Sequence, residues 1–141
     1  MKTTDPDDAL VDALARSAFA TMAVLSRLSA KHGLSLTQLR VLGILRDRQP
    51  RMATLADHLG LEKSTLTGLV SRAERNGLVD RIVTREDARV VEVRLTRRGL
   101  ELARRLTAEV REALAPQTAG LGPAQRRQLR LLLEQLVHIA Q

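Results

Sequence analysis

Between residues 78 and 96 the spacing of apolar side chains switches from the 3.6-residue period of a helix to a period of two, and the chain on either side returns to helical spacing. Residues 78–84 and 90–96 are rich in β-branched side chains. In the second segment Val91, Val93 and Leu95 share one face, while Glu92 and Arg94 take the other. The charged run Arg85-Glu86-Asp87-Ala88-Arg89 between them reads as a hairpin loop. A single hairpin set among helices restricts the chain to a mainly α (α+β) class.

The helices are delimited by their breakers. Residues 9 to about 31 contain almost none, and carry Leu10, Leu14, Ala18, Met22 and Leu25 on one row with Val11, Ala15, Phe19 and Ala23 on the next. Gly33 is placed to cap this helix. Ser35 and Gln38 have capping-box spacing, with Leu34 and Leu39 at the staple positions, opening a helix that Pro50 is expected to stop. A short helix from about 52 to 59 ends at Gly60, and another runs from about 62 to 75, ending at Asn76-Gly77. Beyond the hairpin, Thr96 can cap a helix over 97–115. Residues 116–122 read as a loop, and Pro123 opens a last helix ending near Ala140.

The helices joined at Gly60 have helix-turn-helix spacing. Ala56 is small where they cross, Gly60 supplies the turn, and Leu66 packs the second helix onto the first. With the hairpin following at once, the pattern is a winged helix-turn-helix. Leu66, Leu69, Val70 and Ala73 form the inner face of the second helix. Its other face offers Lys63, Ser64, Thr65, Thr67, Gly68, Ser71, Arg72 and Arg75, small polar and basic groups suited to a major groove. Arg85 and Arg89 at the hairpin tip are candidates for the minor groove or phosphates, and Asp87 is expected to pair with Arg89 or the turn backbone and support the wing.

Charge points to the same partner. The net charge is +7, mostly from arginine, which favours a polyanion. Phe19 is the lone aromatic, which argues against modules that stack single-stranded bases, so duplex DNA is favoured. Cysteine is absent, excluding disulfides, thiolate metal sites and thiol chemistry. His32, His58 and His138 are too scattered for a local metal motif, and no nucleophile–base pair or glycine-rich phosphate loop is present. The expectation is therefore a protein that is not an enzyme, with no cofactor and no metal. Strictly apolar runs are only a few residues long, and the N-terminus is acidic, so neither a membrane span nor a signal peptide is expected and the cytoplasm is the expected location.

The segments LADHLGLEKSTLTGLVSRAERNGLVDR and REDARVVEVRLTRRG, the latter with Asp-x-Arg and then Leu-Thr-x-x-Gly, resemble the MarR family of bacterial transcriptional regulators. The flanking helices have the order and lengths such proteins use. The resemblance implies a homodimer on a pseudo-palindromic operator, with residues 1–34 and 97–141 as dimerisation helices around a DNA-binding domain at 35–96. It also implies residues 63–75 as recognition helix, Arg89 as the wing-tip arginine, and a repressor relieved by a small aromatic or anionic effector, whose site residues the sequence leaves unknown. Arg16, Phe19 and His32 lie on or near the first helix, where relatives line a pocket, and each also has an ordinary structural role open to it.

The dimer has an argument of its own. Leu129, Leu131, Leu132, Leu133, Leu136, Val137 and Ile139 surround most of the last helix, and a small domain cannot bury both it and the first helix. Two departures from the family pattern stand out. Arg51 and Glu62 replace good N-caps, so those helix starts are expected to fray, and Ala73 replaces a bulkier group behind the recognition helix. The competing reading is an architectural protein that binds DNA without sequence choice.

Overall fold

A computed structural model describes residues 5–139 of the 141-residue chain, and side chains through His138. In order, the elements are α1 (Pro6–Lys31), α2 (Leu36–Leu45), α3 (Met52–Leu59), α4 (Lys63–Arg75), β1 (Val79–Val83), β2 (Val91–Leu95), α5 (Arg97–Thr118) and α6 (Pro123–Ile139). The expected end near Ala140 lies outside the described residues.

Helix α1 starts earlier than its apolar rows indicate. Asp5 accepts a hydrogen bond from the Asp7 N–H at 3.0 Å, Pro6 occupies the first turn, and Asp7 and Asp8 face the positive end of the helix dipole. Gly33, at φ 68°, reverses the chain as expected, with Leu34 N–H returning to the Ser29 carbonyl at 2.9 Å. The Ser35–Gln38 capping box is complete in both directions. Helix α2 then closes at Leu45, short of Pro50, whose carbonyl serves elsewhere.

Leu45, Leu55, Ala56, Leu66, Val70, Val79 and Val93 form the core beneath the helix-turn-helix. Complete burial of a Leu or Val contributes about 1.5–3 kcal/mol, so this cluster fixes α3, α4 and the hairpin as one body. Ala56 is buried at the α3–α4 crossing and Gly60 turns at φ 65°. Ala73 packs at the edge of the same cluster, so the smaller side chain leaves α4 seated.

The expected fraying at Arg51 is not what holds. Arg51 indeed makes no side-chain cap, yet it bridges Glu92 of β2, and Val93 N–H donates to the Pro50 carbonyl at 2.9 Å. Backbone pairing to the wing replaces the missing cap. Glu62 likewise makes no side-chain cap, but its carbonyl accepts from Leu66 N–H at 3.1 Å and α4 begins at the next residue.

Helix α5 runs through Pro116 to Thr118, where a loop from 116 was expected. A proline removes one N–H and crowds the preceding turn, but it stands only two residues before the end. The final turn is held against α1 by Thr21 Oγ1 donating to Gln117 Oε1 at 3.1 Å. At its start, α5 is pressed onto the chain leaving α4. A Cβ on Gly99 would lie 1.9 Å from the Leu78 carbonyl oxygen, so only glycine fits.

The outer helices are left uncovered. Leu10, Val11, Leu14 and Phe19 of α1 and Leu131, Leu132, Leu133, Leu136 and Val137 of α6 are exposed, Phe19 by 69%. Helix α1 is also long and apolar enough to cross a membrane by length and composition alone, although Asp12, Arg16, Ser17, Thr21, Ser26 and Arg27 cut its strictly apolar runs to a few residues each. It packs against α2 and α5 instead.

Candidate nucleic-acid interface

The interface is built from the start of α4 and the hairpin beside it. Lys63, Ser64, Thr65, Thr67, Gly68 and Arg72 are exposed on α4, while Leu66 and Val70 are buried behind them. Because Glu62 offers no side-chain cap, the first N–H groups of α4 are left for an incoming acceptor, and the helix dipole favours an anion there. Thr67 Oγ1 donates to the Lys63 carbonyl at 2.7 Å, which turns its methyl group and its lone pairs outward. A Cβ at Gly68 would meet nothing, so this glycine leaves open space on the outer surface rather than relieving an internal clash.

Strands β1 and β2 pair antiparallel with Val79 opposite Leu95, Arg81 opposite Val93 and Val83 opposite Val91. Arg81 therefore falls on the inward face, in line with valines. Its guanidinium reaches α4, donating to the Thr67 carbonyl at 3.2 Å and to Ser71 Oγ. Its Nε is buried without a partner. The cost of that orphan, about 1–3 kcal/mol, is borne by a side chain that fastens the wing to the recognition helix. Ser71, a candidate base contact, is thereby partly committed to Arg81. Sequence reasoning missed Arg81, although the alternation Val79, Arg81, Val83 against β2 places it inward.

At the tip, Thr84 Oγ1 donates to the Asp87 carbonyl at 2.9 Å and Val90 N–H donates to the same oxygen at 3.0 Å. Asp87 Oδ1 accepts from Arg89 N–H at 2.9 Å and from Arg89 Nε at 3.3 Å. Asp87 thus pairs with both the turn backbone and the arginine, as its position suggested. The Arg89 side chain is 93% exposed beyond it, and Arg85 is exposed beside it. Between tip and helices lies a cleft of about 410 Å³ where Arg51, Lys63, Arg81 and Arg89 converge and no acidic residue intrudes. Arg75 is the exception among the candidates. It stands in the last turn of α4 and lines a separate depression toward α1 and α5.

A basic cleft flanked by an exposed recognition helix and a wing defines a winged helix-turn-helix DNA-binding protein. The MarR family model matches residues 32–90. The chain is 34% identical over 115 residues to the HTH-type transcriptional repressor IacR of Pseudomonas putida, covering 81% of this chain and 69% of that protein. It is 31% identical over 132 residues to the homoprotocatechuate degradative operon repressor of Escherichia coli, covering 92% and 88%. The structure of NadR in complex with 4-hydroxyphenylacetate superposes with a TM-score of 0.79 at 25% identity, covering 97% of this chain and 98% of that one. A MarR family regulator from Rhodococcus sp. RHA1 shares the fold with a TM-score of 0.81 at 22% identity, covering 96% of each. The chain belongs to the MarR family. It is a sequence-specific transcriptional regulator and not an enzyme, and the architectural reading falls with that assignment.

Proposed function

We propose that this protein acts in the cytoplasm as a homodimeric repressor that binds a pseudo-palindromic operator and releases it when a small aromatic acid binds. The observation that carries the dimer is α6, a 17-residue helix whose Leu131, Leu132, Leu133 and Leu136 are exposed along with Leu10, Val11, Leu14 and Phe19 of α1. Most helical stability in proteins comes from packing of an apolar face, and a two-fold partner covering both helices supplies that packing and a spacing that matches two half-sites. Within each half, Lys63, Ser64, Thr65, Thr67, Gly68 and Arg72 face the major groove, Ser71 contributes from beneath Arg81, and Arg85 and Arg89 reach the backbone or minor groove with Asp87 as support.

The effector reading rests on a second observation. A largely apolar cavity of about 580 Å³ opens between α1, α2 and α5, lined by Met22, Leu25, Leu39 and Leu106, with Arg40 and Arg46 at its edge. Arg46 is already engaged by Asp47 and by Thr107 Oγ1 at 2.9 Å. Arg40 is the cation available for a carboxylate, with the leucines taking the ring. Repressors of aromatic-degradation operons among the relatives, and 4-hydroxyphenylacetate in the NadR structure, favour that ligand class. Arg16, Phe19 and His32 do not line this cavity; His32 instead pairs with Glu109 at 2.8 Å.

Selection of bound fragments from genomic DNA, followed by titration of labelled DNA at two salt concentrations, tests the reading. An inverted repeat with half-sites about one helical turn apart, bound ~10³-fold above random DNA, is expected, and 4-hydroxyphenylacetate or a related acid should raise the melting temperature and weaken operator binding. Binding that ignores sequence would overturn the operator. An acid that leaves both melting and operator binding unchanged would overturn the effector.

A further inference from the structure

Arg75 opens a different question, because the depression it lines joins the two halves of the molecule. This hollow, about 560 Å³, is walled by the α1–α2 turn at His32 and Gly33, the last turn of α4 at Arg75, and the first three turns of α5 at Arg98, Glu101 and Arg105. The nearby acids are already taken. Glu101 pairs with Arg97 at 3.4 Å, and Glu109 pairs with His32 at 2.8 Å and with Lys31 at 4.0 Å. Among the described residues, Arg75, Arg98 and Arg105 make neither an ion pair nor a side-chain hydrogen bond.

Three guanidiniums line one polar hollow and repel one another, and the two acids near them, Glu101 on its wall and Glu109 within the field of Arg105, are shared with Arg97, His32 and Lys31 and offset that repulsion only in part. Two alternative roles fit poorly. Arg75 can favour the negative end of α4, but Arg98 and Arg105 lie at the positive end and the middle of α5, where the dipole gives a cation nothing. Nor do they belong to the DNA cleft, whose lining at Lys63, Arg81 and Arg89 shares no residue with this hollow. Planar guanidiniums bind paired oxygens of phosphate or carboxylate groups bidentately, and three of them suit a small anion carrying two or three charges.

We propose that this hollow binds a multiply charged small anion, of phosphate or polycarboxylate type, that bridges Arg75 of the recognition helix to Arg98 and Arg105 of the long helix. Such a ligand would fix the angle between α4 and α5, so its binding would couple to operator affinity. The site is separate from the apolar cavity, and rests on the DNA-binding reading only for that coupling.

The test uses the full chain with inorganic pyrophosphate and citrate as probes, against sodium chloride at matched ionic strength, in calorimetry and thermal melts. Saturable binding with a raised melting temperature is expected for at least one probe, weakened about tenfold by Arg105→Gln and further by adding Arg98→Gln. Tighter pyrophosphate binding would assign the natural ligand to phosphate chemistry, and tighter citrate binding to carboxylates. Shifts that follow ionic strength alone, or that survive unchanged in a folded double variant, would overturn the proposal. So would a double variant that loses operator affinity and salt dependence with no probe present, since the arginines would then be DNA-backbone contacts. Arg105→Gln should leave the response to aromatic acids intact, which separates failure of this site from failure of the effector cavity.

Discussion

Asp87 holds both the backbone N–H and the Nε of Arg89, so the tip arginine leaves the hairpin in a set direction while its far end stays in water. An exposed pair of this kind adds little stability, and its effect should appear in binding. Arg89→Ala is expected to weaken operator binding by about 1–3 kcal/mol with an unchanged melting temperature; Asp87→Ala should give a smaller loss in the same gel-shift series. Gly68 separates stability from function more sharply. Its Cβ position is open and helical, so Gly68→Ala should stabilise the protein by about 1 kcal/mol while weakening DNA binding through the added methyl on the approach surface. Tighter binding in that variant would remove Gly68 from the interface. Gly99→Ala is the opposite case. The 1.9 Å approach to Leu78 cannot be met by a side-chain shift, because the atom struck is backbone. A loss of about 1–3 kcal/mol or more is expected in denaturant unfolding.

Between elements, the structure relies on bonds that cross from one to the next. Arg81 ties β1 to α4, and the Pro50 carbonyl and Arg51 tie the start of α3 to β2. Arg81→Met would keep the inward packing but release the Thr67 carbonyl and Ser71. Faster hydrogen exchange in β1 and β2 is expected, with α5 unaffected; uniform exchange rates would show that packing alone docks the wing. His32 and Glu109 join the end of α1 to the middle of α5. The hydrogen bond from His32 chiefly, aided by the charges of His32, Lys31 and Arg105, holds the Glu109 carboxyl below its ordinary pKa of 4.5, against a smaller opposing effect of desolvation. A carboxylate whose pKa is lowered on folding contributes stability above its unfolded value and loses that contribution as pH falls through the folded one. The melting difference between wild type and Glu109→Gln should therefore be complete above pH 4.5 and shrink in more acidic buffer. A difference that grows on acidification would contradict the pairing.

Across the whole molecule, one surface remains to be covered. Exposed Leu132 and Leu136 on α6, together with Leu10 and Leu14 on α1, leave apolar faces of both outer helices uncovered, and contiguous apolar patches mark interaction sites. Leu132→Asp with Leu136→Asp should shift the light-scattering mass from dimer to monomer and abolish tight operator binding, since one half-site then acts alone. A double variant that stays dimeric would place the interface elsewhere.

Much of this was legible along the chain. The helix-turn-helix and the hairpin followed from local signals, because Ala56, Gly60, Leu66 and the alternation from Val91 to Leu95 each act through near neighbours. So did the pairing of Asp87 with Arg89, two residues away. What escaped were relations across sequence distance. Local spacing cannot show that Arg81 lies against Thr67 and Ser71, that β2 rather than a cap holds Arg51, or that a carbonyl at Leu78 excludes any side chain from Gly99. The run of α5 past Pro116 was hidden for the same reason, since the brace at Thr21 lies far back in α1. Periodicity, caps and turns are decided within a few residues. Which arginines line the cleft between α4 and the wing, and which gather between α4 and α5, was decided only when packing of the core set the angles between the helices.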